Sequence, residues 1–270
     1  PAPGALFMQY EALVGFDWTV DRDVWPFVTN FAPIKYYMGT LAERWEWTDP
    51  QNLKMYLRQG VHWQNIPPVS GREFNSDDVV QHYDRMMGTG SGYTQPSFFA
   101  GWLSLLDKVS AVDKYTINVK FKKASTLTLF QFFDQANESQ IEPPEVAKLS
   151  AAGQLDWKNA AGTGPWILAE FVQGSLLSYS KNPDYWGYDE RHQENKLPYV
   201  DTLKVLIVPD TSTAIAALRT GKVDIIHEVD LTQAANLSKT NPELKQRSVP
   251  VGGPAIDFRT DKSPFNDIRV

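Results

Sequence analysis

Apolar positions recur at two periods along this chain, and the alternation marks out elements before any chemistry is considered. Residues 162–224 carry the clearest pattern. Gly162 and Gly164 flank Thr163 and precede Pro165, a combination that permits a sharp turn and then fixes the angle at which the next segment starts. A strand is predicted over 166–172, punctuation at Gln173-Gly174, and a second strand over 176–180, so the two form a hairpin. Asn182-Pro183-Asp184 is a turn tripeptide, after which Tyr185, Trp186 and Tyr188 fold back as an apolar lid. The run 203–208, broken only by Lys204, predicts a strand buried on both faces. Thr211, Ser212 or Thr213 caps a helix that ends at Gly221, and 223–226 supplies another strand, giving a βαβ-like unit.

Earlier in the chain the run LFMQYEALVGFD predicts a helix that carries Leu6, Met8, Tyr10 and Leu13 into a core and then gives way to a strand. Leu53, Met55 and Leu57 alternate as a half-buried strand does. Ser76 is the expected N-cap of a helix with Asp77 and Asp78 in its first turn and with Val79, Val80, Tyr83 and Met87 on one face. Residues 115–121 alternate as a strand with one wet face, and Ser125 is placed to cap a helix through Leu127, Leu129, Phe130 and Phe133. Ile141-Glu142-Pro143-Pro144 then breaks the chain before a helix over 145–149.

Gly88-Thr89-Gly90-Ser91-Gly92 follows a helix instead of a strand and lacks a following Lys-Ser or Lys-Thr, so it reads as a linker and not as a phosphate loop. With 42% hydrophobic and 21% charged residues the chain has the composition of a globular protein. A net charge of −6 disfavours nucleic acid as a partner, since phosphate contacts need concentrated Lys and Arg. The chain has no cysteine, hence no disulfide or thiolate chemistry, and no apolar run approaches the roughly 18 residues of a membrane span. His62, His82, His192 and His227 lack metal-site spacing, so no metal or cofactor is expected. No signal peptide opens the chain, so any leader or lipid-anchored cysteine is expected to lie outside it.

Several segments in one order carry a resemblance: Tyr10-Glu11-Ala12-Leu13, then Leu41-Ala42-Glu43-Arg44-Trp45-Glu46, the strand ending Leu57-Arg58-Gln59-Gly60-Val61, Ser76-Asp77-Asp78-Val79, Gly162-Thr163-Gly164-Pro165, and 256–270. Together these resemble family 5 of the extracytoplasmic solute-binding proteins, which serve peptide, nickel and related ABC importers. The resemblance implies an α/β (mixed α+β) fold with the lobes of type II (cluster C) periplasmic binding proteins, incomplete here: residues 1–9 at the edge of the main lobe, 10–159 the smaller lobe, 160–247 a portion of the main lobe, and 248–270 a crossover toward a second main lobe. It implies a periplasmic or extracellular protein that closes two lobes on a small solute, an oligopeptide or an oligosaccharide, and passes it to the membrane subunits of an ABC permease. Strand ends that turn polar at a sheet edge are where such lobes bind, which selects His227 and Glu228 as ligand contacts; Tyr93 and Phe98 are added from the aromatic-rich stretch that the family brings to its cleft. No catalytic residue is assigned. A glycoside hydrolase built on paired carboxylates fits the nine tryptophans and the acidic excess, but the acids sit mainly in caps and turns such as Asp77, Asp78, Asp184 and Asp210. A structural module of a larger surface protein is the other rival. The chain is expected to be a piece of a longer protein and, with a sheet edge unpaired, to self-associate.

Overall fold

The computed structural model describes residues 8–27, 32–94, 101, 103–124, 132–133, 139–227, 229–248 and 258–269. Its strands are β1 Val14–Phe16, β2 Tyr37–Gly39, β3 Ala42–Asp49, β4 Asn52–Leu57, β5 Leu106–Asp113, β6 Thr116–Phe121, β7 Trp166–Val172, β8 Leu176–Lys181 and β9 Thr202–Leu206. Its helices are α1 Ser76–Met87, the short α2 Pro144–Ala147 and α3 Ala151–Leu155, then α4 Thr211–Arg219 and α5 Leu231–Thr240. The strands form three antiparallel sheets: β1-β2, β3-β4-β6-β5 and β7-β8-β9.

The four-stranded sheet puts its alternating residues Leu53, Met55, Leu57, Ile117, Val119 and Phe121 into one core, as the period of two requires. The α1 helix covers that face with Val79, Tyr83 and Met86. A second, smaller core gathers on the hairpin: Leu168, Leu177 and Tyr179 are buried, with Met8, Trp157, Trp166, Phe171, Leu203 and Val205 packed around them.

Five expectations are corrected. Residues 8–13 are not helical, because their carbonyls serve other segments: Gln9 O accepts from Gly164 N, Glu11 O from Ile141 N, Ala12 O from Leu41 N and Leu13 O from Ala42 N. Backbone oxygens engaged in this way cannot close an i to i+4 ladder. At α1 the cap is Asn75, whose side chain accepts from Asp77 N while the Asp78 side chain accepts from Asn75 N; Ser76 instead donates its hydroxyl to Asp113 O at 2.6 Å. Asp210, not Thr211, Ser212 or Thr213, caps α4, accepting from Thr213 N at 2.7 Å. Among the described residues β9 is an edge strand, hydrogen-bonded to β8 alone, and its residues alternate between exposed and half-buried where burial on both faces is expected. Residues 223–226 form no strand, and Ile225 is 73% exposed.

The remaining elements sit where the pattern places them. β4, the β7–β8 hairpin and β6 with its exposed Lys120 match their expected spans closely, and Gly221 follows α4 with φ +66°. In the aromatic lid Tyr185 is buried and Trp186 half-buried, but Tyr188 is 52% exposed. Of the helix expected from Ser125, only Phe132 and Phe133 lie within the described residues; both are buried, Phe132 stacked on Tyr83 and Phe133 edge-on to Trp45.

Candidate functional site

Four distant stretches of chain meet in one polar node. Gln64 is its centre: the side-chain amide donates to Gly164 O (3.2 Å) and Trp166 O (2.7 Å), and its oxygen accepts from Gly162 N (3.2 Å). The backbone N–H of Gln64 adds a 2.8 Å bond to Gly162 O. The turn residues are glycines because the chain start presses on them: a Cβ on Gly162 would lie 1.7 Å from Gln9 O. Asn182 closes the other side, donating its side-chain amide to Gly164 O at 3.0 Å and accepting from Asp184 N at 3.1 Å, as an Asn-Pro turn allows.

That turn delivers two aromatic donors to a half-buried acid. The hydroxyl of Tyr185 donates to Glu11 Oε1 at 2.8 Å and the indole of Trp186 to Glu11 Oε2 at 2.9 Å. The Arg58 guanidinium lies 4.4 Å from the centre of the Trp186 ring while its Nε donates to Thr40 O at 3.1 Å. Burial pushes the Glu11 carboxyl up to about 7; the bonds from Trp186 and Tyr185 and the charge of Arg58 oppose that rise without cancelling it. Burial also raises Tyr185, and the Glu11 charge adds to the effect. Further out, Glu190 is raised by burial and by repulsion from Asp17 and Asp189. Arg191 ties the same loop to the chain start through a 2.9 Å bond to Trp18 O.

A second polar group lies between α1 and the segment leading into α2. Gln81, His82, Arg85, Tyr93, Glu142, Pro144 and Ala147 line a small cleft there, with Arg85 paired to Glu142. Among the described residues the Tyr93 hydroxyl and the Gln81 side-chain oxygen, both buried in it, have no hydrogen-bond partner. His82 Nε2 is 2.7 Å from Ser139 Oγ, a spacing that suits a nucleophile and its base. Burial and the neighbouring Arg85 push the imidazole down to about 3, however, so it is too weakly basic to draw off a serine proton.

Of the four sequence-selected contacts, Tyr93 is therefore in this cleft and His227 is exposed on the loop between α4 and α5. Glu228 and Phe98 lie outside the described residues. No described contact joins Tyr93 to His227. The node around Gln64 and Glu11 was not singled out by sequence reasoning, although one signal was present: an acid and two amides embedded in otherwise apolar or glycine-bounded runs. Among the described residues no group of three or more His, Asp or Glu side chains is placed to hold a metal, and no helix is long and apolar enough to cross a membrane.

The sheets and helices define the class: a mixed α/β chain with the fold of the type II periplasmic binding proteins. A structure of MoaA from A. tumefaciens R10, a PBP/SBP in complex with mannopinic acid, superposes with a TM-score of 0.70 at 23% identity, over 98% of this chain and 48% of that one. The family described as bacterial extracellular solute-binding proteins, family 5 Middle, matches residues 37–270, and the chain belongs to it. Heme-binding protein A of Haemophilus influenzae is 29% identical over 244 residues, 85% of this chain and 42% of the relative. The dipeptide-binding protein of Escherichia coli is 26% identical over 257 residues, 88% of this chain and 46% of the relative. The chain thus spans less than half the length of these curated relatives.

Proposed function

We propose that this chain is part of an extracytoplasmic binding component of an ABC importer, which captures a peptide or similar small solute and delivers it to a permease without transforming it. Membership of family 5 across 37–270 is the observation that carries this reading. The names of relatives include peptide, heme and opine binders, and dipeptide-binding relatives favour a peptide over an oligosaccharide. A peptide would be held largely through its main chain as an added strand, with its side chains in wet pockets. Tyr93, Phe98, His227 and Glu228 are proposed as ligand contacts, residues 10–159 as the smaller lobe and 160–247 as a portion of the main lobe. The presence of two separate apolar cores supports that division.

Native mass spectrometry of the protein purified from its own cells tests the solute class. A heterogeneous peptide ladder is expected; a uniform sugar mass would overturn the peptide reading. Calorimetric titration with the peptides recovered then tests the contacts: H227A and Y93F are each expected to weaken binding at least threefold, and unchanged affinity in both would remove them from the site. The unpaired edge of β9 is proposed to drive self-association of this chain, and a monodisperse monomer in sedimentation at high concentration would contradict it.

A further inference from the structure

We propose that Glu11 is a proton-linked tie: it fastens the 182–199 segment to the start of the chain, and holds it most firmly when its carboxyl carries a proton. The segment is largely bonded to itself beyond its opening turn. Leu197 N donates to Gly187 O at 3.0 Å, Asp189 N to Asn195 O at 2.9 Å, and the Tyr199 hydroxyl to Asp189 at 2.6 Å. Its side-chain attachments to the rest of the molecule among the described residues are few. Two end on Glu11, from Tyr185 and Trp186; a third is Asn182 to Gly164 O, a fourth Arg191 to Trp18 O, and a fifth the stacking of Arg58 on Trp186. Glu11 therefore receives two of these five anchors, more than any other residue outside the segment.

Both protonation states of the carboxyl can be bonded, but unequally. As a carboxylate it accepts from both donors, at the cost of holding a charge where contact with water is reduced. With a proton on Oε1 it donates to the Tyr185 oxygen, still accepts the Trp186 indole N–H on Oε2, and carries no charge. The surroundings decide between them. Facing Glu11 are the hydroxyls of Tyr185 and Thr163, the Trp186 indole and the Arg58 guanidinium; Tyr10 flanks it in sequence, and Asp17, Asp189, Glu190 and Arg191 form the outer ring. Among the described residues Arg58 is the one cation acting directly on the carboxylate, and it is also engaged with Thr40 O and the Trp186 ring. Burial outweighs it, so the carboxyl titrates near 7 instead of at its ordinary 4.5.

The sign comes from linkage. A group that binds its proton more tightly folded than open gives a tie that is strongest below the open-state value and weakens as pH rises through the folded one. With 4.5 and about 7 as those values, opening of the segment becomes about tenfold easier between pH 6 and pH 8. Amide exchange on the whole chain reads this directly. Protection of the Tyr185 and Leu197 amides, corrected for the intrinsic pH dependence of exchange, is expected to fall about tenfold over that interval, and E11Q is expected to abolish the fall. In parallel the Trp186 indole proton resonance, assigned with W186F, is expected to titrate with a midpoint near 7 in the parent chain and to stay flat in E11Q. R58Q removes the opposing charge and is expected to move that midpoint upward, which a purely structural contact at Glu11 would not do. Should E11Q fail to fold, R58Q decides. A midpoint unmoved or lowered in R58Q, a flat resonance in the parent chain, or protection independent of pH would each overturn the proposal.

Discussion

His82 is buried and Glu11 half-buried, and loss of water moves their proton affinities in opposite directions. Glu11 rises from 4.5 to about 7, so the stability it contributes is complete below pH 4.5 and lost as pH climbs through 7. His82 falls from 6.5 to about 3, so its contribution is complete above pH 6.5 and lost as pH drops toward 3. Between about 4.5 and 6.5 the two slopes oppose each other, and stability should be highest there. Denaturant midpoints measured from pH 4 to 8 should therefore form a dome, with E11Q removing an alkaline fall of on the order of 1 kcal/mol between pH 6.5 and 8. H82Q should reduce, without removing, the acid side, because other carboxylates such as Glu73, held down to about 2 chiefly by Lys114, also lose their partners in acid. At this scale the sequence was least legible. Tyr10-Glu11-Ala12-Leu13 marks a family segment, but nothing in one chain's letters says that Tyr185 and Trp186, about 175 residues later, aim both donors at the acid. Partners that far apart are set by the fold, and periodicity carries no information about them.

Elements, by contrast, obey local physics, and the places where reading failed show which local rule was outbid. β4, β7 and β8 were legible because alternation and a Gly-containing turn specify both face and register. Both helix caps were misplaced by one to three residues for a common reason: at each site an Asn or Asp sits just before the Ser or Thr, and its planar side-chain oxygen accepts from the free amides of the first turn. The run 8–13 has helical spacing, but bonds to Ile141, Leu41, Ala42 and Gly164 outbid it. The end of α4 shows a rule obeyed in full. Gly221 N bonds to Leu218 O and Lys222 N to Ala217 O, the paired closure that needs a left-handed residue, and Gly221 supplies it at φ +66°. No atom outside its immediate chain neighbours lies within 4 Å of a Cβ built at Gly221, so G221A meets no clash and its cost is conformational alone. It should destabilise by about 1–2 kcal/mol. G162A, whose Cβ would lie 1.7 Å from Gln9 O, should cost at least about 3 kcal/mol. Thermal melts of the two variants side by side test the contrast, and equal costs would show that the contact with Gln9 does not constrain the turn.

Across the whole molecule, the organisation turns on how a large core and a small one are joined. The large core runs from Leu13 to Ala161 and the small one surrounds Leu168, Leu177 and Tyr179, so the chain passes between them at 162–166. Apolar contact between cores tolerates sliding, since it is proportional to area and has no direction. Hydrogen bonds fix angle as well as distance. The Gln64 side chain supplies three of them to the passing backbone, and it is only 2% exposed, so water cannot replace it. Q64L keeps the volume and removes all three, leaving Gly162 N without a side-chain partner and Trp166 O with less satisfaction. Each group left unbonded costs about 1–3 kcal/mol. The loss should therefore exceed that of an ordinary buried polar substitution and should fall unequally on the two parts. The hairpin depends on this junction for its orientation, whereas the four-stranded sheet has its own core beneath α1. In Q64L, exchange protection of β7 and β8 amides should drop well before that of β4 and β6, while in the parent chain the two sheets lose protection over a narrower span of denaturant. If the two sheets of Q64L instead lose protection together, the small core is held by its apolar contacts and the side chain of Gln64 does not couple them.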